Sequence, residues 1–157
     1  MMKIKKAKVT DIKQIHKLIY GYSKQGLMLY RPSLEIEHNI RDYFVCKSGS
    51  KIVGSVALRV WNKKSSEIYA LAVGSEYTGK KIGTNLVKSC IKEAKKLEVS
   101  SIFTLTFKHD LFIKIGFKKI NLKGLPKVIF TEKTVNVDKA YGLKLWCKRE
   151  YMEEIDD

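Results

Sequence analysis

The sequence predicts an α/β (α+β) chain, and three features carry that expectation. Glu67 to Val73 is β-branched, aromatic and small, which suits an extended strand. A break at residues 74–79 follows, and from Ile82 the apolar residues Leu86, Val87, Cys90, Ile91, Ala94 and Leu97 draw one stripe down a helix. Upstream, Phe44-Val45-Cys46 and the run from Lys51 to Trp61 flank Ser48-Gly49-Ser50, the pattern of an antiparallel hairpin.

The remaining elements follow in order. Ile4 to Val9 alternates as a first strand. Thr10 or Asp11 can cap a helix that turns Ile12, Ile15, Leu18, Ile19 and Tyr22 inward and ends near Ser23 to Gly26. After Pro32, Ser33 is placed to cap a second helix with Leu34, Ile36, Ile40 and Tyr43 available for burial. Asn62 to Ser66 turns the chain into the Glu67 strand, whose Glu67, Tyr69, Leu71 and Val73 would share a face. Ser101 to Thr106 is a fifth strand, Leu111 to Ile115 a short helix stopped by Gly116, and Lys144 to Trp146 a closing strand. Glu150 to Asp157 is expected to be a solvated acidic end.

A length of 157 residues suits one domain over 1–157, enough to bury roughly two thirds of its unfolded surface. The N-terminus carries lysines without the apolar run of a signal peptide, and no stretch of about 18 apolar residues occurs. The expectation is a soluble, cytoplasmic protein with no membrane partner. Cys46, Cys90 and Cys147 are odd in number, far apart and without metal-ligand spacing, so reduced thiols and no metal are expected. The net charge of +15 raises the question of nucleic acid. Arg31, Arg41, Arg59 and Arg149 are the arginines, however, and the lysines run from Lys3 to Lys148 without concentrating in one segment. The charge reads as a solvated lysine surface whose field draws in an anionic cofactor and an acidic substrate.

Thr78-Gly79-Lys80-Lys81-Ile82-Gly83-Thr84 joins the central strand to its helix. The first turn of a helix has free N–H groups and the positive end of the dipole, so small residues with lysines beside them suit a polyphosphate. The alternative is a basic turn that opens a surface helix.

In this context the stretch resembles the GCN5-related N-acetyltransferase (GNAT) superfamily, whose pyrophosphate loop reads Arg/Gln-x-x-Gly-x-Gly/Ala. Thr78 stands where Arg or Gln is usual, Lys81 where the first Gly is usual, and Gly83 matches the last position. The order of elements is also the superfamily's, and Leu111 to Phe117 resembles its second motif. Within the superfamily the chain is most similar to short N-acetylglutamate synthase-like amino-acid N-acetyltransferases. The similarity is carried by Ile15 to Ile19, Gly26 to Ser33, Ile40 to Val45, Glu67-Ile68, Leu71-Ala72-Val73 and Gly124 to Val128, within residues 3–130. It implies the GNAT fold: a mixed, mostly antiparallel sheet of six to seven strands with about four helices, splayed between strands 4 and 5. It also implies acetyl-CoA as cosubstrate and direct transfer to the α-amino group of an acidic amino acid, L-glutamate foremost, as in arginine biosynthesis. Two other readings stand beside it: acetylation of another small-molecule amine or a protein N-terminus, and a non-enzymatic module for acyl-CoA or nucleic acid. The oligomeric state is left open, a homodimer included.

The resemblance also assigns residues. Backbone groups of Leu71, Ala72 and Val73 would pair with pantetheine as an added strand and polarise the thioester carbonyl. Gly79, Lys80, Lys81, Ile82, Gly83 and Thr84 would hold the pyrophosphate. Phe112 occupies the place of a tyrosine that protonates the departing thiolate, and a phenyl ring has no proton to give. Arg31 has an independent chemical reason, since a planar guanidinium grips an α-carboxylate with two parallel hydrogen bonds while the nitrogen attacks. Ser33 would add a hydroxyl or N–H groups; Arg59, which shares a strand face with Ser55, Ala57 and Trp61, would meet a second carboxylate if that face borders the cleft, the alternative being an exposed strand arginine. The alternative for Arg31 is a surface ion pair with Glu35 or Glu37. Glu67 is the candidate base, because an ammonium must lose its proton before it attacks a thioester. A solvated carboxylate at a strand end is the bland alternative, and His109 is a second candidate or a helix cap. Lys127, after Leu125-Pro126, is left outside the set.

Overall fold

The computed structural model describes residues 2–106, 109–120 and 141–146. In chain order the elements are strand β1 (Met2–Lys6), helices α1 (Ile12–Ser23) and α2 (Ser33–His38), and strands β2 (Tyr43–Ser48), β3 (Lys51–Asn62) and β4 (Ser65–Val73). They continue with helix α3 (Ile82–Lys96), strand β5 (Ser101–Thr106), helix α4 (His109–Ile115) and strands β6 (Lys118–Lys119) and β7 (Tyr141–Trp146). The strand order is β1-β2-β3-β4-β5-β7-β6 in a mixed sheet. Pair β4–β5 is parallel, whereas β1–β2, β2–β3, β5–β7 and β6–β7 are antiparallel. The expected mostly antiparallel sheet and four helices are therefore present among the described residues. Pairing of β4 with β5 covers Ser65 to Ile68 against Ser101 to Thr104 and goes no further, although β4 continues to Val73.

The chain divides into two compact units, Met1–Leu58 with Tyr69–Cys90 and Arg59–Ile68 with Ile91–Asp157. In the first, Ile15, Ile19, Ile36, Tyr43, Val45, Ile52, Ala57, Tyr69 and Ala70 form one buried cluster. Helix α1 contributes through its apolar stripe, with Ile15 and Ile19 fully buried. Its entry is fixed by Asp11, which accepts the Lys8 N–H at 2.8 Å and pairs with Lys47 at 3.0 Å. The first half of α3 buries Ile82, Leu86, Val87 and Cys90. Gly54 on β3 makes that possible, because a Cβ there would lie 3.0 Å from both Ile82 Cγ2 and Leu86 Cδ1. Cys46 is buried, and burial pushes its thiol pKa up.

The second unit is centred on Phe103, fully buried against Trp61, Leu105 and Ile120. Side-chain hydroxyls lace β4 to β5: Ser66 Oγ donates to the Ser101 carbonyl at 3.0 Å, and Thr104 Oγ1 to the Ile68 carbonyl at 2.9 Å. Helix α3 ends in a left-handed residue, Glu98 at φ 61°. There Val99 N–H bonds the Ala94 carbonyl and Glu98 N–H the Lys95 carbonyl, a Schellman arrangement.

Several sequence expectations are corrected. Strand β1 stops at Lys6 because residues 9–11 form a 3-10 turn, with Val9 67% exposed. Pro32, not Ser33, is the N-cap of α2, and Ser33 makes no capping bond. Helix α2 ends at His38, leaving Leu34 exposed and placing Tyr43 in β2. Leu97 does not complete the α3 stripe; the Schellman turn points the chain away, and Val99 is buried instead. Lys127, Cys147 and residues 150–157 lie outside the described residues. Among the described residues no helix is long and apolar enough to cross a membrane.

Candidate functional site

In the first unit the site begins with an interruption of β4. Ala70 has φ 53°, a left-handed conformation inside a strand, so the even alternation expected from Glu67 to Val73 is broken there. Ala70 and Ala72 are buried, while Leu71 and Val73 are half-buried. The Val73 carbonyl accepts a hydrogen bond from the Tyr22 hydroxyl of α1. Gly74 N–H then donates to the Val53 carbonyl at 2.8 Å, tying the strand exit to β3.

After a 3-10 turn at Ser75–Tyr77 the chain enters Thr78 to Lys81, all exposed. Gly79 has φ 79° and Lys81 φ 62°. Gly79 takes that conformation at no steric cost, whereas Lys81 holds a position that glycine suits better. The Asn85 N–H bonds the Lys81 carbonyl at 3.0 Å, so the N–H groups of Ile82, Gly83 and Thr84 precede the first intrahelical bond. Ile82 is buried and Gly83 and Thr84 half-buried, so Ile82 can serve an anion only through its backbone. Lys80 Nζ lies 5.4 Å from the Tyr77 ring centre.

Arg31 belongs to the same unit and is not a surface residue: its side chain is 11% exposed. Nη1 bonds Glu35 Oε1 at 2.6 Å, and the guanidinium carbon stands 4.5 Å from the Tyr69 ring centre. The Tyr69 hydroxyl donates to Asp42 Oδ2 at 2.7 Å. Nε is buried and has no acceptor among the described residues. The pair with Glu35 that the sequence offered as the alternative is thus real, but it leaves the guanidinium incompletely bonded. Ser33, two residues on, is exposed.

Glu67, Arg59 and Phe112 fall in the second unit. Because β4 starts at Ser65, Glu67 lies inside the strand and is only 9% exposed, not a solvated end residue. Trp61 Nε1–H donates to Glu67 Oε1 at 3.0 Å. The Arg59 guanidinium carbon lies 5.1 Å from the Trp61 ring. Phe112 is 2% exposed and packs edge-to-face on Phe117 with centroids 5.2 Å apart. His109 is the first residue of α4, with Nε2 3.4 Å from Asp110 Oδ1. Sequence reasoning missed Trp61, Tyr69 and Tyr22 as site residues. Trp61 carried a signal, because it precedes Glu67 by one tight turn of the chain; Tyr69 was placed on the strand face of Glu67 without a role, and Tyr22 was assigned to packing.

Comparison with known proteins defines the class. The model of the acetyltransferase (GNAT) family matches residues 9–117. The chain therefore belongs to the acetyltransferase (GNAT) family and is an acyltransferase. It is 30% identical over 131 residues to an uncharacterized N-acetyltransferase of Chlorobaculum tepidum, covering 83% of this chain and 84% of that protein. It is 26% identical over 132 residues to an amino-acid acetyltransferase of Mycobacterium tuberculosis, covering 82% and 75%. Its fold is similar to that of N-acetylglutamate synthase from Neisseria gonorrhoeae, solved with coenzyme A and N-acetyl-glutamate. That match has a TM-score of 0.85 at 23% identity and covers 95% of this chain but 36% of the other. Longer amino-acid acetyltransferases are likewise spanned to 28–29% of their length.

Proposed function

We propose that the chain works as a single N-acetyltransferase domain, carrying acetyl from acetyl-CoA to the α-amino group of an acidic amino acid, L-glutamate foremost, in the cytoplasm and in arginine biosynthesis. The observation that carries this reading is Arg31: a nearly buried guanidinium, stacked on Tyr69, with an Nε that has no acceptor among the described residues. A planar fork short of one partner suits a carboxylate. The likeness to an amino-acid acetyltransferase supports the same acceptor class.

Each step follows from ordinary acyl-transfer chemistry. Arg31 grips the acceptor carboxylate, with Ser33 of the same unit as a further polar contact. Glu67 takes the ammonium proton, and the freed lone pair attacks the thioester carbonyl. A nearly buried carboxylate held by an indole N–H has a defined orientation, which supports that role. Backbone N–H groups of Ala72 or Val73 support the negative oxygen of the tetrahedral intermediate, which collapses to the amide as the thiolate leaves. Leu71 and the Val73 N–H serve pantetheine, since the Val73 carbonyl already accepts from Tyr22. The loop from Gly79, with Lys80 and Lys81, and the N–H groups of Ile82, Gly83 and Thr84 take the pyrophosphate. Phe112 gives apolar cover and no proton, so the thiolate is protonated by solvent or by the second proton, which the nitrogen of the tetrahedral intermediate loses as the amide forms.

Thiol release from acetyl-CoA across a panel of L-glutamate, L-aspartate, neutral amino acids, a polyamine and a peptide N-terminus tests this. Fastest turnover with the acidic amino acids is expected. Preference for the polyamine or the peptide would overturn it.

A further inference from the structure

The five N–H donors of Arg31 are unequally used. Nη1 is taken by Glu35, one face is covered by Tyr69, and Nε is buried without an acceptor among the described residues. A buried N–H in that condition is costly, and native folds retain few of them. Glu35 is the wetter partner, its side chain 35% exposed against 11% for Arg31. It lies in the short helix α2, four residues after Arg31, so it can turn toward water without unseating the arginine. The guanidinium, by contrast, is held by the Tyr69 ring, whose own hydroxyl is tied to Asp42.

We infer that Glu35 is the resident counter-ion of the acceptor grip and a determinant of acceptor affinity. It neutralises Arg31 between turnovers and competes with the incoming carboxylate, which supplies the acceptor that Nε lacks. The inference rests on the reading of Arg31 as that grip. A nearly buried cation with no counter-charge is unfavourable, so some resident anion is needed while no substrate is bound. Two carboxylates on one guanidinium repel each other, so the same anion weakens acidic acceptors and speeds release of the acidic product. Removing the charge while keeping the shape should therefore tighten acceptor binding, the opposite of what loss of a merely structural ion pair does.

Steady-state kinetics on the full chain test this with Glu35→Gln, Arg31→Ala and the double variant. Glu35→Gln should lower KM for L-glutamate about three- to tenfold and leave KM for acetyl-CoA within about twofold, an effect of the size of one removed like charge at a partly wet site. In the Arg31→Ala background the same change should have no effect on KM for L-glutamate. An unchanged or raised KM in Glu35→Gln, or a fall that persists without Arg31, would overturn the inference. If the glutamine variant unfolds, Glu35→Ala must give the same fall. Failure of the underlying reading looks different: Arg31→Ala alone would then raise both KM values equally.

Discussion

The Arg31 guanidinium carbon stands 4.5 Å from the centre of the Tyr69 ring, and Tyr69 in turn meets Tyr43 edge-on at 5.9 Å. The arginine therefore rests on a wall of the buried cluster and not on a mobile surface. A cation over a desolvated aromatic face is stabilised by about 0.5–2 kcal/mol. Tyr69→Leu should accordingly raise KM for the amino acid by roughly 2- to 30-fold with little change in KM for acetyl-CoA. Tyr69→Phe, which keeps the ring, should show the smaller effect in the same assay.

Trp61 and Glu67 form the second pair to perturb. The indole N–H fixes Oε1 of a carboxylate that is 9% exposed, and Trp61→Phe deletes that donor while leaving a smaller aromatic side chain in place. Trp61→Phe should lower kcat by roughly 10- to 150-fold, the worth of one hydrogen bond to a charged group. Glu67→Gln should lower it further. Equal kcat in wild type and Glu67→Gln would remove Glu67 from the chemistry.

At Gly54 the neighbours are apolar side chains of α3 at 3.0 Å, the limit of real contacts. Gly54→Val overpacks this junction and should cost about 1–3 kcal/mol in urea unfolding. Because Ile82 opens the helix whose N–H groups are assigned to pyrophosphate, the surviving fold should also bind acetyl-CoA more weakly, as titration calorimetry would register.

Lys81 carries a left-handed backbone at φ 62°. Lys81→Gly relieves a steric cost of about 1–2 kcal/mol and gives back part of it in chain entropy, so its urea midpoint should equal or exceed that of wild type. Lys81→Val should be destabilised, since a β-branched residue tolerates that conformation least.

The elements legible in the sequence were those with an uninterrupted period. The β2–β3 hairpin and α3 from Ile82 stand where the sequence puts them, with Val45, Val56 and Leu86 buried. What escaped was whatever one residue's backbone decides. The positive φ of Ala70 breaks a pattern that reads as continuous, and that of Glu98 diverts Leu97 from the stripe. Of the proposed site, the residue types were legible, namely Arg31, Glu67 and the Gly79 to Thr84 loop. Their surroundings were not, because the Tyr22–Val73 bond and the Arg31–Tyr69 stack join positions 51 and 38 residues apart.

The central claim is that Arg31 holds the acceptor by its carboxylate. Initial rates of Arg31→Ala, taken against L-glutamate and then against acetyl-CoA, address it directly. A KM for L-glutamate raised by more than about tenfold, with KM for acetyl-CoA within about twofold, is the predicted result, in keeping with loss of a charge-assisted fork. Equal changes in the two constants would contradict it and make Arg31 a structural residue.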